Sequence, residues 1–226
     1  SDVAHKNGVK VGCLMSIPES ERVVLTPFAQ GINSKVLYRI TDKDNRNRFK
    51  YAEKLVKLMK YYGIDGLGVN SEFTTNSGVM SHLIEFFELC HKEARKIDWD
   101  FQLYWYDGTN ESGYRDFDQG LGDHNKRMFG RKGREVTDMM FANYGWSENT
   151  LAKSVRKAGE LERNSYDYYA GFDIQARGVK NVNWKDLLNH KISIGFWGAH
   201  SQSLIHQSAT DNGTSDIAIQ NTYLKK

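Results

Sequence analysis

An α/β fold built on a parallel sheet is the class this sequence predicts, and three observations predict it. Strand-like apolar runs alternate with amphipathic helix-like runs along most of the chain. Several strand-like runs finish in polar or aromatic residues: Asn70 and Glu72, Tyr106 and Asp107, Asn143 and Trp146, Asp173 and Gln175. No Gly-rich phosphate turn follows a strand, since Gly63, Gly66 and Gly68 lack the G-x-G-x-x-G spacing. A (β/α)8 barrel gathers its site from the C-terminal ends of strands all around the ring. A doubly wound sheet concentrates the site at one switch point, often over such a turn. The reading is therefore a TIM-type barrel. Six strands are recognised and such barrels typically run to about 250 residues, so at least one strand, the first being the candidate, is expected to be absent or unrecognised.

In chain order, residues 1–7 read as the end of a helix, with Gly8 suited to a left-handed stop. A strand follows at 9–17. From 18 to 47 the pattern is irregular and polar, with Pro27 and Gly31, which suits a long loop over the active face with a strand candidate at 36–40. Residues 48–62 form a helix, because Phe49, Ala52, Leu55, Val56, Met59 and Tyr62 recur at three- and four-residue steps. The strand 64–70 comes next. Residues 81–96 form a helix with Leu83, Phe86, Phe87 and Cys90 inward. Strands are expected at 101–107, 136–144, 168–174 and 192–197, and helices at 116–130, 148–163 and 184–188.

Composition narrows the function classes. The 226 residues are 39% hydrophobic and 26% charged, an ordinary globular balance for one large domain. A net charge of +3, with Lys and Arg scattered among Asp and Glu, is no nucleic-acid footprint. No run of about 18 apolar residues is present, so no membrane span is expected. Cys13 and Cys90 form no disulfide framework and read as buried free thiols. His82 and His91 are not at i, i+4 spacing, and His200 and His206 have no acid at ligand spacing, so no metal site is expected. Aromatics make up 12%, with five Trp and twelve Tyr, many at strand ends where a sugar-binding cleft would want flat faces.

Asn70 and Glu72 carry the chemistry. Residues i and i+2 of a strand face the same side, so an amide and a carboxylic acid would project together from the end of the strand that begins at Ile64. A general acid must hold a proton at neutral pH, which apolar surroundings favour. An ordinary glycosidase would add a second carboxylate as nucleophile or base. Here the companion is an amide, which cannot attack well but can orient a substrate's own acetamido group, so that the acetamido carbonyl becomes the nucleophile. Taken alone, Asn-x-Glu is also the signature of a helix N-cap with a surface acid. Its coincidence with the other strand-end motifs favours the site. Trp105 and Tyr106 alternate across a strand, so one of them belongs to the core. Asp107 reads equally as a turn residue before Gly108, Asn143 and Asp173 as ties between strand ends and loops, and Trp197 as core or as a stacking surface.

The segment Asp65-Gly66-Leu67-Gly68-Val69-Asn70-Ser71-Glu72 resembles the D-G-x-x-x-N-x-E strand of glycoside hydrolase family 85, the endo-β-N-acetylglucosaminidases. Four more stretches resemble that family in its own order: Ala4-His5-Lys6-Asn7-Gly8-Val9, Trp105-Tyr106-Asp107, Phe141 to Trp146, and Tyr166 to Asp173. The resemblance implies a single glycosidase catalytic domain over 1–226, comprising part or most of a barrel. Its activity would be to cut the β-1,4 bond between the two core GlcNAc residues of N-linked glycans. It implies a retaining, oxazoline mechanism that permits transglycosylation. Glu72 would be the acid and base, Asn70 would hold the acetamido group, and Tyr106 would help position it. Trp105, Asp107, Asn143, Trp146 and Asp173 would line the glycan cleft. The implied partner is an N-linked glycan or glycoprotein, and no metal or organic cofactor is implied. Bacterial members are typically secreted or surface-bound and eukaryotic ones cytosolic. The chain departs from the family at Leu67, Gly68 and Ser71, where aromatic residues and a Gln-like residue are usual, and at Ser16-Ile17-Pro18-Glu19, where a tryptophan is missing. Two alternatives stand beside it: a chitinase-like family 18 hydrolase, whose D-G-x-D-x-D-x-E is only half kept, and a glycan-binding pseudoenzyme.

Overall fold

The structure, a computed structural model, describes residues 2–17, 37, 39–117, 119–174 and 184–198. Helix α1 (Asp2–Lys6) leads through Gly8, at φ 71°, into strand β1 (Gly12–Ser16). Helix α2 (Ala52–Tyr61), strand β2 (Gly66–Asn70), helix α3 (Ser77–Lys96) and strand β3 (Gln102–Tyr106) follow. A long excursion carries the short helix α4 (Lys126–Phe129) and a two-residue hairpin before strand β4 (Met139–Phe141). Helix α5 (Glu148–Glu160), strand β5 (Tyr168–Asp173), helix α6 (Trp184–Asn189) and strand β6 (Ser193–Trp197) complete the described part.

The six strands β1 to β6 form one sheet in chain order, and every neighbouring pair is parallel. A doubly wound sheet reverses its order at a switch point. This one never reverses, so it is wound in one direction, as the wall of a (β/α)8 barrel is. Among the described residues β1 and β6 are not paired with each other.

The two faces of the sheet are distinct. On the outer face, Leu67, Val69, Leu103, Trp105, Met140, Tyr168, Ala170 and Phe172 are buried against the helices. On the inner face two aromatic rings lie over glycines. A Cβ at Gly12 or Gly66 would come within 2.9 or 3.0 Å of the Tyr104 ring, and one at Gly171 or Gly195 within 2.6 or 2.2 Å of Phe141. Tyr104 and Phe141 thus fill the interior that small residues on their neighbours leave open. Burial pushes the Tyr104 hydroxyl up to about 12, and it donates to Gln102 Oε1 at 2.5 Å.

Helix starts follow side-chain caps. The Asn76 side chain accepts from Val79 N at 3.0 Å and starts α3 four residues before the expected Ser81. Ser147 and Thr150 cap α5 reciprocally, the Ser147 N–H donating to Thr150 Oγ1 at 2.7 Å and the Thr150 N–H to Ser147 Oγ at 3.3 Å.

Four expectations are corrected. Leu37, Arg39 and Ile40 are helical rather than a strand, and Thr41 bonds back to the Leu37 carbonyl through both its N–H and its hydroxyl. The helix expected over 48–62 starts only at Ala52, because Asp44 folds the preceding turn by accepting from the N–H groups of Arg46 and Arg48. The helix expected over 116–130 shrinks to α4. The backbone from Gly120 to Gly122 instead wraps the buried Asn125 amide, which donates to Gly120 O at 3.0 Å and accepts from Gly122 N at 2.8 Å. Strand β4 is also shorter than the expected 136–144. The loop expected over the active face falls, for 18–36, outside the described residues.

Candidate active site

The strand ends place the site. Strand β2 stops at Asn70, and burial then alternates strictly: Asn70 and Glu72 are half-buried, while Ser71 and Phe73 are both 0% exposed. Phe73 enters the helix layer edge-on to Trp105, with ring centroids 6.3 Å apart. Asn70 and Glu72 therefore stand on the opposite, inner side. The last register pair of β2 and β3 is Val69 with Trp105, so Asn70 and Tyr106 are neighbours one step further on.

Tyr106 stands among aromatic rings, its centroid 6.3 Å from Phe117, 6.2 Å from Phe141 and 6.1 Å from Tyr144. Its hydroxyl donates to Asn143 Oδ1 at 2.6 Å. Asn143 follows β4, so this bond ties the ends of two strands and orients the phenol. Asp173 ends β5 beside Trp197 of β6, on the inner face and half-buried. Trp146 donates its indole N–H to Gly171 O at 2.8 Å and packs edge-on to Phe172 at 5.5 Å. Phe172 is a helix-side residue, so the indole is anchored over the end of β5.

Two of the residues expected in the cleft are not there. Trp105 is 0% exposed and packed between Phe73 and Phe87, so it is core; of the adjacent pair, Tyr106 is the one that faces the site. Asp107 is also turned away from the cleft, 5% exposed, with both carboxylate oxygens 2.9 Å from Asn125 Nδ2. Burial pushes its carboxyl up to about 7 against the opposing pull of the Asn125 amide, with the Asp116 charge adding to the rise. Its place is the root of the β3–β4 excursion. The acid nearest Glu72 along β3 is thus sequestered, and the inner side of these two strand ends carries one carboxylate, one amide and one phenol.

Several contributors to this geometry were not expected. Ser71, Thr109 and Asn125 are 0%, 1% and 0% exposed and join the strand ends through hydrogen bonds. A groove of about 240 Å³ on the outer flank, lined by Ile84, Glu88, Arg127, Arg134, Val136 and Leu161 among others, shares no residue with this site. Among the described residues no three His, Cys, Asp or Glu side chains are grouped to hold a metal ion, and Cys13 and Cys90 are both free thiols.

A family model for glycosyl hydrolase family 85 matches residues 1–216. The chain belongs to that family. A cytosolic endo-beta-N-acetylglucosaminidase 1 from Arabidopsis thaliana is 30% identical over 179 residues, 79% of this chain and 23% of that protein. The human cytosolic endo-beta-N-acetylglucosaminidase is 24% identical over 178 residues, 79% of this chain and 21% of that protein. The chain therefore spans about a fifth of the length of the curated relatives it matches. The glycoside hydrolase domain of Endo-D from Streptococcus pneumoniae R6 has the same fold, with a TM-score of 0.79 and 24% identity over 98% of this chain and 34% of that one. Asn70 ends the second of the six parallel strands in the described sheet, and Glu72 lies two residues beyond it. Among the described residues no helix is long and apolar enough to cross a membrane.

Proposed function

We propose that residues 1–226 form a single catalytic domain that acts as an endo-β-N-acetylglucosaminidase on N-linked glycans, cutting between the two core GlcNAc residues. The observation that carries this reading is the pairing of Asn70 and Glu72 on the inner side of one strand end, with Tyr106 beside Asn70. Family membership and the names of the relatives support the bond that is cut.

Glu72 gives its proton to the glycosidic oxygen as the bond to the anomeric carbon breaks. The substrate's acetamido oxygen attacks that carbon from the opposite face, closing a protonated oxazoline (oxazolinium) ring that keeps its N–H. Asn70 holds the acetamido group, and Tyr106, oriented by Asn143, positions it. Water then attacks the same carbon while Glu72, now a carboxylate, takes its proton, so the ring opens and the anomeric configuration is retained. An alcohol in place of water gives transglycosylation. Asp107 cannot supply a second carboxylate because it is buried against Asn125, which favours assistance by the substrate over a protein nucleophile. Asp173 lines the far side of the cleft. We assign a cytosolic location, following the names of the curated relatives.

The test is mass spectrometry of a high-mannose glycopeptide incubated with the protein and with Glu72→Gln. The expected product keeps one GlcNAc on Asn and is lost in the variant, whose kcat falls by about 10²–10⁴-fold. Binding without cleavage by the unaltered protein would instead mark a pseudoenzyme.

A further inference from the structure

Two buried hydroxyls beside Glu72 take no part in the proposed reaction. Thr109 Oγ1 lies 2.7 Å from both the Ser71 and the Phe73 carbonyl oxygens, sharing its one proton between them, and accepts from the Phe73 N–H at 3.3 Å. These three backbone groups bracket Glu72 on both sides. Ser71 Oγ returns the contact: it donates to the Tyr106 carbonyl and accepts from the N–H groups of Gly108 and Thr109 at 3.3 Å each. The chains approach so closely that a Cβ on Gly108 would lie 2.5 Å from the Ser71 carbonyl oxygen. Two residues further on, Thr75 N donates to Gly113 O at 2.8 Å, so the β3–β4 excursion backs the segment again.

This arrangement answers a need. The sheet ladder of β2 ends at Asn70, and backbone groups beyond a ladder must find other partners or lose order. A proton donor on such a segment would swing with it. Misplacing a reacting group by about 1 Å can cost about 10²-fold in rate.

We propose that Thr109 is a positioning residue for Glu72: its hydroxyl, with that of Ser71, fixes the segment that carries the acid to the strand end that carries Tyr106. The proposal rests on Glu72 being the proton donor. It goes further in assigning the acid's placement to a neighbouring strand's side chain rather than to β2 itself.

The test uses the 226-residue protein with Thr109→Val, which keeps the shape and deletes the hydroxyl, and Thr109→Ser, which keeps the hydroxyl. Steady-state kinetics on the glycopeptide, thermal melting and amide hydrogen exchange at Phe73 are measured for each. The expected result in Thr109→Val is a kcat about 10- to 100-fold lower, a KM within about twofold of the starting value, and faster Phe73 exchange. Thr109→Ser is expected to restore kcat. In a Glu72→Gln background Thr109→Val is expected to change the residual rate by less than about twofold. If Thr109→Val keeps its kcat, or loses activity only in proportion to its unfolded fraction, or if Thr109→Ser is as impaired as Thr109→Val, the proposal is overturned. Should Thr109→Val not fold, Ser71→Ala is held to the same outcomes. If the unaltered protein cleaves no glycopeptide, the reading of Glu72 fails first and the proposal falls with it.

Discussion

The two ends of the sheet are held by different chemistry. At the N-terminal end, carboxylates do the fastening. Asp65 accepts from the Val11 N–H at 2.7 Å and pairs with His5 at 2.6 Å, Asp138 accepts from the Leu103 N–H at 2.6 Å, and Lys10 pairs with Asp100. In each of the first two cases an acid just before one strand caps the start of its neighbour. At the C-terminal end the fasteners are neutral: the hydroxyls of Ser71, Thr109 and Tyr106 and the amides of Asn143 and Asn125. The lesson is a division of labour, with charged groups fastening the strands at one rim and neutral hydroxyls and amides fastening them at the other.

Substitutions can break or sharpen that contrast. The largest effects belong to the C-terminal rim, where Asn70→Ala is expected to lower kcat by about 10²–10³-fold, as loss of one aligned polar group does, while the urea midpoint stays unchanged. A matching loss of stability would mean that Asn70 is a fastener and not a reacting partner.

Next comes Asp107, whose acid is favoured neutral in the folded state. Its folded value of about 7 lies above the unfolded value of about 3.9, so the folded chain binds the extra proton between them. That contribution to stability is fully present below the unfolded value and is lost as pH rises through 7. Between pH 5 and pH 7 the loss amounts to about 2 kcal/mol. Urea unfolding at the two pH values should show this fall, and Asp107→Asn should flatten it. An equally steep fall in the variant would assign the titration elsewhere.

The smallest effect is expected at the N-terminal rim. Burial pushes the Asp65 carboxyl up, but the Val11 N–H and His5 outweigh it and hold it below the usual carboxylate range. Its stabilisation is present above the unfolded value and disappears as pH falls below it. Asp65→Asn should therefore cost about 1 kcal/mol at neutral pH, given its partial exposure, and leave kcat within about twofold. A drop in kcat would erase the contrast between the rims.

Much of this layout is legible in the residues themselves. The alternation of Asn70 and Glu72 with Ser71 and Phe73 is a period-two pattern that any strand end displays, and the structure keeps it. The pairing of Trp105 with Tyr106 shows that one ring must face the core, but which one depends on how β3 seats against Phe87 of α3. The start of α3 was hidden because Gly78 in its first turn weakens the helical pattern, while the signal lay in the Asn76 cap. The sequence leaves Asp107 open, because a strand-end acid before a glycine looks the same whether it meets solvent or a buried amide. Asn125, which decides the matter, lies 18 residues away. Thr109 carries no local mark at all, since a hydroxyl that grips a neighbouring strand is defined by a long-range approach.

The alternation at the end of β2 also makes the chemistry a question of parity. Deleting Ser71, or inserting one residue between Asn70 and Glu72, would turn the Phe73 ring toward the proposed cleft and the acid toward Trp105 and Phe87. Inserting two would restore the facing while lengthening the reach. On the proposed reading, substitutions that keep this alternation leave the acid on the cleft side, whereas a change in length by one residue turns it into the helix layer, so the segment's length matters to the site as much as its letters do.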